Sequence, residues 1–425
     1  MMLSRTKVAK RLQQLTKALL NTVVYPIGII MPRSRKRWVF GHQGDTFAGN
    51  AKYLFLWMTL NRPDIDVVWL TGDKVTRDSL AASGYKSYLR WSWSGIRVAL
   101  FSRVFVFCHS VVDTNLQLSR GALLLNLWHG VGLKPIQLNE KGSVISQHLK
   151  YQSKLLTKAF YLGSLVKPDW VVTTSDFTQK HFADQFGMDI AACPKLGYPR
   201  LDVVADPILL EAAKVISPSQ EIDADFGAFK EVYMYMPTFR DSGRPFLEEA
   251  LPDLEELSEA LRQRNALLYI KLHRKTELEF ASTFPNIKPW PEQADCYIYL
   301  FRFNLLITDY SSILYDYIFY KGAGVIIYTF DFDKYQKFDR SLLYSFEENI
   351  IGTRISDFAG LCLCIAEGTA LAAISPCDLG RIRDKFWGEC AAPVSPQIVT
   401  YIESQIYARR KSVRPKLSYL SRLRT

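Results

Sequence analysis

The sequence lacks any apolar run long enough to cross a bilayer. The longest candidate, Leu19–Met31, has 13 residues and contains Asn21 and Pro26, whereas a spanning helix needs about 20. CxxC pairs are absent too: seven scattered cysteines, an odd number, include only the CxC of Cys362 and Cys364. That excludes a disulfide framework and a thiolate zinc site, and fits reduced thiols. GxxxxGK[ST], HExxH, GxSxG and GxGxxG are all missing. P-loop, zincin, serine-elbow and dinucleotide-binding chemistries are thereby set aside. No repeat of 20–50 residues is present, which excludes a solenoid.

Acidic residues are absent from both ends. Residues 1–37 hold nine Lys/Arg and residues 409–425 hold seven, with no acid in either. The net charge of +11 therefore sits at the ends, and the segment between them carries 37 basic against 42 acidic residues, a net of −5. A nucleic-acid-binding protein usually carries its basic face on the folded body, so no nucleic-acid partner is expected. Val8, Leu12, Leu15 and Leu19 recur at helical spacing, with Lys7, Lys10, Arg11, Gln14 and Lys17 between them. This predicts an amphipathic helix resting on an anionic membrane surface. Solvated tails, or a helix packed on the body, are the plainer alternatives. A basic stretch before the apolar run outlines a signal peptide, but no small-x-small cleavage site follows.

What is present suits two α/β domains: 425 residues, 48% hydrophobic and 22% charged. Short apolar runs at Trp38–His42, Val67–Thr71, Val104–His109, Leu123–Trp128 and Val171–Thr174 alternate with helical stretches such as Asn50–Leu60. Residues 202–228 are rich in proline and acid and mark the interdomain region. A second series follows at Val232–Met236, Leu267–Leu272, Leu305–Thr308 and Val325–Tyr328, with helices at Leu254–Arg264 and from Ser312. Such runs predict parallel sheets buried on both faces. The expected division is a basic amphipathic segment (1–37), two Rossmann-like domains (38–205 and 206–385), and a C-terminal helix with a basic tail (386–425). Ligands of such sheets sit beyond the C-terminal strand ends.

Five strand exits carry chemistry. Leu123–Lys134 reads LLLNLWHGVGLK: an apolar strand stops at His129, and Gly130 and Gly132 let the backbone approach a ligand. An imidazole titrating near ~6.5 can accept a hydroxyl proton at neutral pH. A strand-end histidine that merely caps a turn is the alternative. Leu267–Lys275 reads LLYIKLHRK, placing His273 and Arg274 where they can stabilise phosphate charge; the alternative is a solvated basic turn. Leu305–Asp316 reads LLITDYSSILYD, a strand running into Ser311 and Ser312 and then a helix whose free N–H groups suit a phosphate. Plain helix capping would need no ligand. Met236–Asp241 (MPTFRD) and Gly197–Asp202 (GYPRLD) each place an arginine after an apolar run, and an isolated turn arginine is more often a surface residue.

Taken together, these motifs resemble the CDP-glycerol glycerophosphotransferase family, bacterial enzymes that prime or polymerise teichoic acids and related capsule polymers. The resemblance rests on WHGVGLK (128–134), Ser175 followed by GYPRLD (197–202), PTFR (237–240), KLH (271–273) and TDYSSILYD (308–316) in family order, with Gly49–Lys52 near the front. It covers roughly residues 38–335. It implies a GT-B-like pair of facing Rossmann-like domains, with the acceptor on the first and the CDP-donor on the second. It implies His129 and His273 as the catalytic pair. It implies donor contacts at Gly130, Val131, Gly132, Leu133, Arg200, Pro237, Thr238, Leu272, Arg274, Ser311, Ser312 and Asp316.

The implied reaction moves a polyol phosphate from CDP-glycerol or a related CDP-polyol to a hydroxyl of a lipid-linked or polymeric glycan, with release of CMP. The implied location is peripheral, on the cytoplasmic face of the bacterial cell membrane. No tightly bound cofactor and no protein metal site is expected; Mg²⁺ can arrive with the nucleotide. Val131 and Gly132 replace the family's Thr-Pro, and Arg274 stands where many members have Pro, which bears on the polyol's identity. The long polymerases' extra N-terminal region is not seen, which points toward a short primase-like or capsule enzyme. The competing readings are a GT-B glycosyltransferase using a sugar nucleotide and a non-catalytic scaffold.

Overall fold

The computed structural model describes residues 15–132, 134–136, 154–217, 220–272, 284–339 and 342–413, without the side chains of 154–159 and 409–413. Two six-stranded sheets organise it. The first contains β1 (Ser34–Phe40), β2 (Asp66–Thr71), β3 (Ser87–Leu89), β4 (Ser102–Phe107), β5 (Leu123–Asn126) and β6 (Trp170–Val171). The second contains β7 (Glu231–Met236), β8 (Ala266–Ile270), β9 (Ile287–Pro289), β10 (Leu305–Thr308), β11 (Val325–Tyr328) and β12 (Thr353–Ile355). Their orders are β3-β2-β1-β4-β5-β6 and β12-β11-β10-β7-β8-β9, and every pairing is parallel. Counted from its own first strand, each sheet has the same doubly wound order, and each reverses direction between its first and fourth strands.

The expected apolar runs form the central strands, which are buried on both faces. The short strands β3, β9 and β12 were not foreseen. Each has three residues, sits at or next to a sheet edge, and includes polar residues such as Lys288 and Arg354, so it lacks the continuous apolar run of a central strand.

Seven helices matter below: α1 (Gly49–Asn61), α2 (Lys154–Leu165), α3 (Asp176–Phe186), α4 (Pro207–Val215), α5 (Ile313–Tyr320), α6 (Pro376–Phe386) and α7 (Ser395–Val413). Helix α1 buries Ala51, Tyr53, Leu54, Phe55, Leu56 and Met58. It is apolar almost all round, as a helix enclosed by protein must be. Helix α7 returns to the first half of the chain, where Tyr401 meets Trp170 edge-on and Arg62 Nη2 pairs with Glu403 at 2.7 Å. One buried apolar cluster runs unbroken from Trp38 and Trp69 to Trp387 and Ile402. The two halves therefore share a core.

The amphipathic helix expected around residues 8–19 lies mostly outside the described residues. From residue 15 to 30 the chain is helical. Asn21 is buried and accepts a bond from Gln117 Nε2 (2.9 Å), and Val24 and Tyr25 pack against the core beneath the first sheet. The opposite side leaves Leu15, Leu19, Val23, Ile27 and Ile30 exposed. Two residues counted as part of the basic segment belong instead to the fold. Arg33 donates to the carbonyls of Ala99, Ser102, Leu118 and Arg120 at 2.7–3.0 Å. Arg37 lies within β1, which begins before Trp38, and pairs with Asp66 at 2.7 Å.

Candidate functional site

Strand register decides which residues meet at the sheet ends. Phe107 lies opposite Asn126 and Thr308 opposite Met236. Cys108 therefore leaves the first sheet beside Leu127, and Asp309 leaves the second beside Pro237. The exits of β5, β7, β8 and β10 converge on a cleft of about 420 Å³ between the two sheets. His129, Gly130, Val131, Gly132, Pro237, Thr238, Leu272, Ser311 and Ser312 all line it, with Lys134 and Lys271. Leu133, His273 and Arg274 lie outside the described residues.

His129 is set in place by an unusual turn. Trp128 has φ +52°, a left-handed conformation that costs a bulky residue energy unless its surroundings enforce it. The enforcement is visible. Asn126 Oδ1 accepts from Trp128 N–H at 2.8 Å, and Asn50 Nδ2 of α1 donates to the Trp128 carbonyl at 2.8 Å. The Trp128 ring seats edge-on against Phe182 and Phe186 of α3. His129 Nδ1 lies 3.3 Å from the Cys108 carbonyl. A carbonyl can only accept, so Nδ1 carries the proton and Nε2 holds the basic lone pair. The surrounding protein lowers the ring's pKa to about 4 against the pull of that carbonyl, and His109, Arg200 and His42 push the same way. His129 is exposed to the cleft on its other side, and the lowered pKa leaves a neutral imidazole at neutral pH.

Gly130 has φ +149°. A β-carbon there would stand 3.2 Å from Arg200 Nη2 and 3.4 Å from Ser312 Oγ, so the two halves close on a residue with no side chain. Arg200 and Asp316 were expected to touch the donor. Both are 1% exposed, and Arg200 Nη2 reaches both Asp316 oxygens at 2.7 Å. Arg200 Nη1 donates to the His129 carbonyl at 2.8 Å, and Tyr297 donates to Asp316 at 2.9 Å. The pair bolts the halves together and anchors His129. Burial pushes the Asp316 carboxyl up while Arg200 pulls it down. On balance the carboxyl is raised, with a single guanidinium nitrogen straddling both of its oxygens. A second bolt joins Lys52 of α1 to Asp295 at 2.6 Å, with Tyr53 on the same oxygen.

The GYPRLD motif is thus a joint. Gly197 (φ +84°) passes where a β-carbon would meet Cys390 Sγ at 2.3 Å. Asp202 accepts from Val394 and Ser395 N–H at 2.6 and 2.7 Å, fixing the start of α7. Ser175 is likewise structural, capping α3 and donating to the Lys385 carbonyl.

Arg240, read from sequence as an ordinary turn arginine, is 1% exposed. It pairs with Asp309 (3.0 Å) and bidentately with Asp331 (2.9 Å) among the rings of Phe246, Tyr310, Phe330 and Tyr335. Asp309 also accepts from Thr238 and Tyr310 N–H at 2.8 and 2.6 Å. Arg240, Asp309 and Asp331 therefore shape the cleft floor. The buried hydroxyl of Thr238 has no partner among the described residues, so the floor presents a polar group to the cleft. Ser312 stands at the start of α5 yet makes no side-chain cap bond. Ser311 Oγ takes the Ile313 N–H at 3.5 Å instead, and the helix start remains a suitable anion site.

Residues 23–404 match the family described as CDP-Glycerol:Poly(glycerophosphate) glycerophosphotransferase. The chain belongs to this family. It is 27% identical over 268 residues to the teichoic acid ribitol-phosphate polymerase TarL of Staphylococcus aureus, covering 60% of this chain and 43% of TarL. It is 24% identical over 359 residues to a teichoic acid poly(glycerol phosphate) polymerase of Bacillus spizizenii, covering 81% of this chain and 86% of that protein. The chain thus spans less than half the length of TarL, and likewise of TarK. The wall teichoic acid polymerase TagF superposes with a TM-score of 0.70 over 96% of this chain and 97% of TagF, at 19% identity. A histidine-to-asparagine form of TagF soaked with CDPG gives 0.72. At that identity the likeness establishes the fold: GT-B-like, with two parallel sheets.

Proposed function

We propose that this protein transfers a polyol phosphate, glycerol phosphate first among the candidates, from a CDP-activated donor to a hydroxyl of a lipid-linked or polymeric glycan acceptor and releases CMP. Family membership supports this, together with relatives named for poly(glycerol phosphate) and ribitol-phosphate polymerisation. One observation carries the chemistry. His129, its Nδ1 proton committed to the Cys108 carbonyl, lines the same cleft as Ser311 and Ser312 at the start of α5. A base and an anion site face one space.

In the proposed step, Nε2 of His129 takes the acceptor hydroxyl proton while that oxygen attacks the phosphorus bearing the polyol. A new P–O bond forms, the bond to the bridging oxygen breaks, and CMP leaves with that oxygen. The start of α5, Thr238, Lys134 and Lys271 would hold the diphosphate. His273 and Arg274 follow the cleft-lining Leu272 in sequence, and we assign them to phosphate or leaving-group charge. Positioning and fixed electrostatics supply the rate. Among the described residues, no three His, Cys, Asp or Glu side chains form a metal-ligand group, so Mg²⁺ would be carried by the nucleotide's own phosphates.

Among the described residues, no helix is long and apolar enough to cross a membrane. We place the protein peripherally on the cytoplasmic face of the membrane. The exposed row of Leu15, Leu19, Val23, Ile27 and Ile30, joined to the acid-free basic ends, supports contact with an anionic lipid surface. Calorimetry with CDP-glycerol, CDP-ribitol and a UDP-sugar tests the donor assignment. Binding of a CDP-polyol with no binding of the UDP-sugar is expected, and the reverse selects a sugar-nucleotide glycosyltransferase.

A further inference from the structure

A second cavity, of about 630 Å³, opens at the C-terminal edge of the first sheet, beside the donor cleft. Its walls come from the segments after β1 and β4, from Asn126 at the end of β5, and from the C-terminal half of α2. It therefore occupies the place where strand order reverses in the first sheet, as the donor cleft does in the second. Its size suits a small polar ligand or a chain end.

The wall between the two spaces is thin. The segment Phe107–Ser110 faces this cavity, and the carbonyl of Cys108 within it orients His129 on the other side. The His109 ring, which lines the cavity, lies nearly parallel to Trp128 and His129, at centroid distances of 6.1 and 6.4 Å. Asn126 locks this wall, donating to the His109 carbonyl at 3.1 Å and accepting from Trp128 N–H at 2.8 Å. The polar lining is mixed. Lys17, Arg90 and Lys167 bring positive charge, while Ser110 and His109 offer partners for hydroxyls. The carboxylates are already engaged: Asp45 with Arg90, and Asp113 with the N–H groups of His109 and Ser110. Arg90 Nε is buried without a partner among the described residues.

We infer that this cavity is the acceptor subsite and that it takes a hydroxyl-terminated polyol-phosphate unit. Lys17 and the unsatisfied Nε edge of Arg90 would hold the phosphate, Arg90 Nη2 being paired with Asp45 and Lys167 with the Gly187 carbonyl, and the free hydroxyl would be presented past His109 to His129. The inference rests on the polyol-phosphate transfer proposed above. Lys17 places the mouth beside the helical run that we assign to the membrane, the side from which a lipid-linked chain would enter.

The test uses the full-length protein, CDP-glycerol and CDP-ribitol as donors, and a short, soluble glycerol-phosphate oligomer as acceptor. Ser164 is exposed on α2 at the cavity wall, so Ser164→Trp fills the opening while folding is retained. It should raise the acceptor KM about tenfold or more, the equivalent of about 1.4 kcal/mol, and leave the donor Kd within about twofold. Ser164→Ala should change neither. His109→Gln should lower acceptor kcat/KM about tenfold with the donor Kd unmoved. An unchanged acceptor KM in Ser164→Trp together with unchanged acceptor kcat/KM in His109→Gln overturns the subsite. So does a donor Kd that moves in step with the acceptor KM. Wild-type protein that binds and turns over neither CDP-polyol instead overturns the underlying reading, and the subsite with it.

Discussion

Replacing Arg200 with methionine perturbs both the joint between the halves and the base that works beside it. The substitution removes the Nη2 contact to both oxygens of a buried acid and a 2.8 Å bond to the His129 carbonyl. Breaking a buried ion pair from one side costs about 3–5 kcal/mol, because the remaining charge is left uncompensated. The lost bond to His129 adds about 1 kcal/mol. We expect Arg200→Met to destabilise by about 4–6 kcal/mol and Asp316→Leu by about 3–5 kcal/mol. The double variant should cost less than the sum by about 2 kcal/mol or more, since neither buried charge then remains. Activity separates the two roles. Asp316→Leu keeps the guanidinium beside the His129 carbonyl and should retain more kcat than Arg200→Met at matched folded fraction. Urea unfolding followed by the fluorescence of the nine tryptophans, paired with CMP release, supplies both readouts. Single-variant costs that add to within about 0.5 kcal/mol, or a wild-type kcat in Arg200→Met, refute the reasoning.

Three further expectations follow from the same geometry. Because the His129 pKa is lowered, the base stays unprotonated below the usual histidine range of about 6.5. The acid limb of kcat/KM should therefore fall below pH 6, and a limb centred at 6.5–7 contradicts the lowered pKa. The same shift gives stability a sign: as pH falls from about 6.5 toward 4, the unfolded chain takes up that proton first, so His129 makes the fold less stable there, and His129→Gln should flatten that part of the curve. Gly130→Ala forces a β-carbon toward Arg200 and Ser312 at φ +149°; we expect a loss of about 1–3 kcal/mol and a larger drop in kcat than in stability, read by melting and CMP release. Serine at Leu19, Val23, Ile27 and Ile30 together removes exposed apolar groups only, so vesicle binding should fall while melting is unchanged; undiminished co-sedimentation with anionic vesicles opposes the membrane assignment.

Much of the fold was legible because a buried parallel strand is written as a short apolar run. LLLN and LLIT admit few other readings once helices separate them. The edge strands were hidden because three residues with a serine, lysine or arginine among them carry no such run. His129, Gly130, Thr238, Ser311 and Ser312 were picked out through a single rule, that ligands gather where strands end, and they line one cleft. Arg200 and Asp316 are instead buried and paired with each other. Sequence spacing cannot tell a charged residue that meets a ligand from one that meets its opposite 116 positions away. Arg240 was undervalued for the same reason: both of its carboxylate partners, Asp309 and Asp331, lie far along the chain. Arg33 and Arg37 were grouped with the membrane-facing cations because composition alone cannot separate a snorkelling charge from one that caps carbonyls.

The most direct test is to incubate purified wild-type and His129→Ala protein with CDP-glycerol or CDP-ribitol and a lipid-linked or glycerol-phosphate acceptor, following CMP and the new phosphodiester by chromatography and mass spectrometry. Acceptor-dependent CMP from one donor, with a matching phosphodiester and a drop of about 10³-fold or more in the folded His129→Ala variant, on the scale of removing a catalytic base, is the result expected here. CMP release that survives in His129→Ala, or a nucleoside diphosphate and a glycosidic bond from a sugar nucleotide instead, contradicts it.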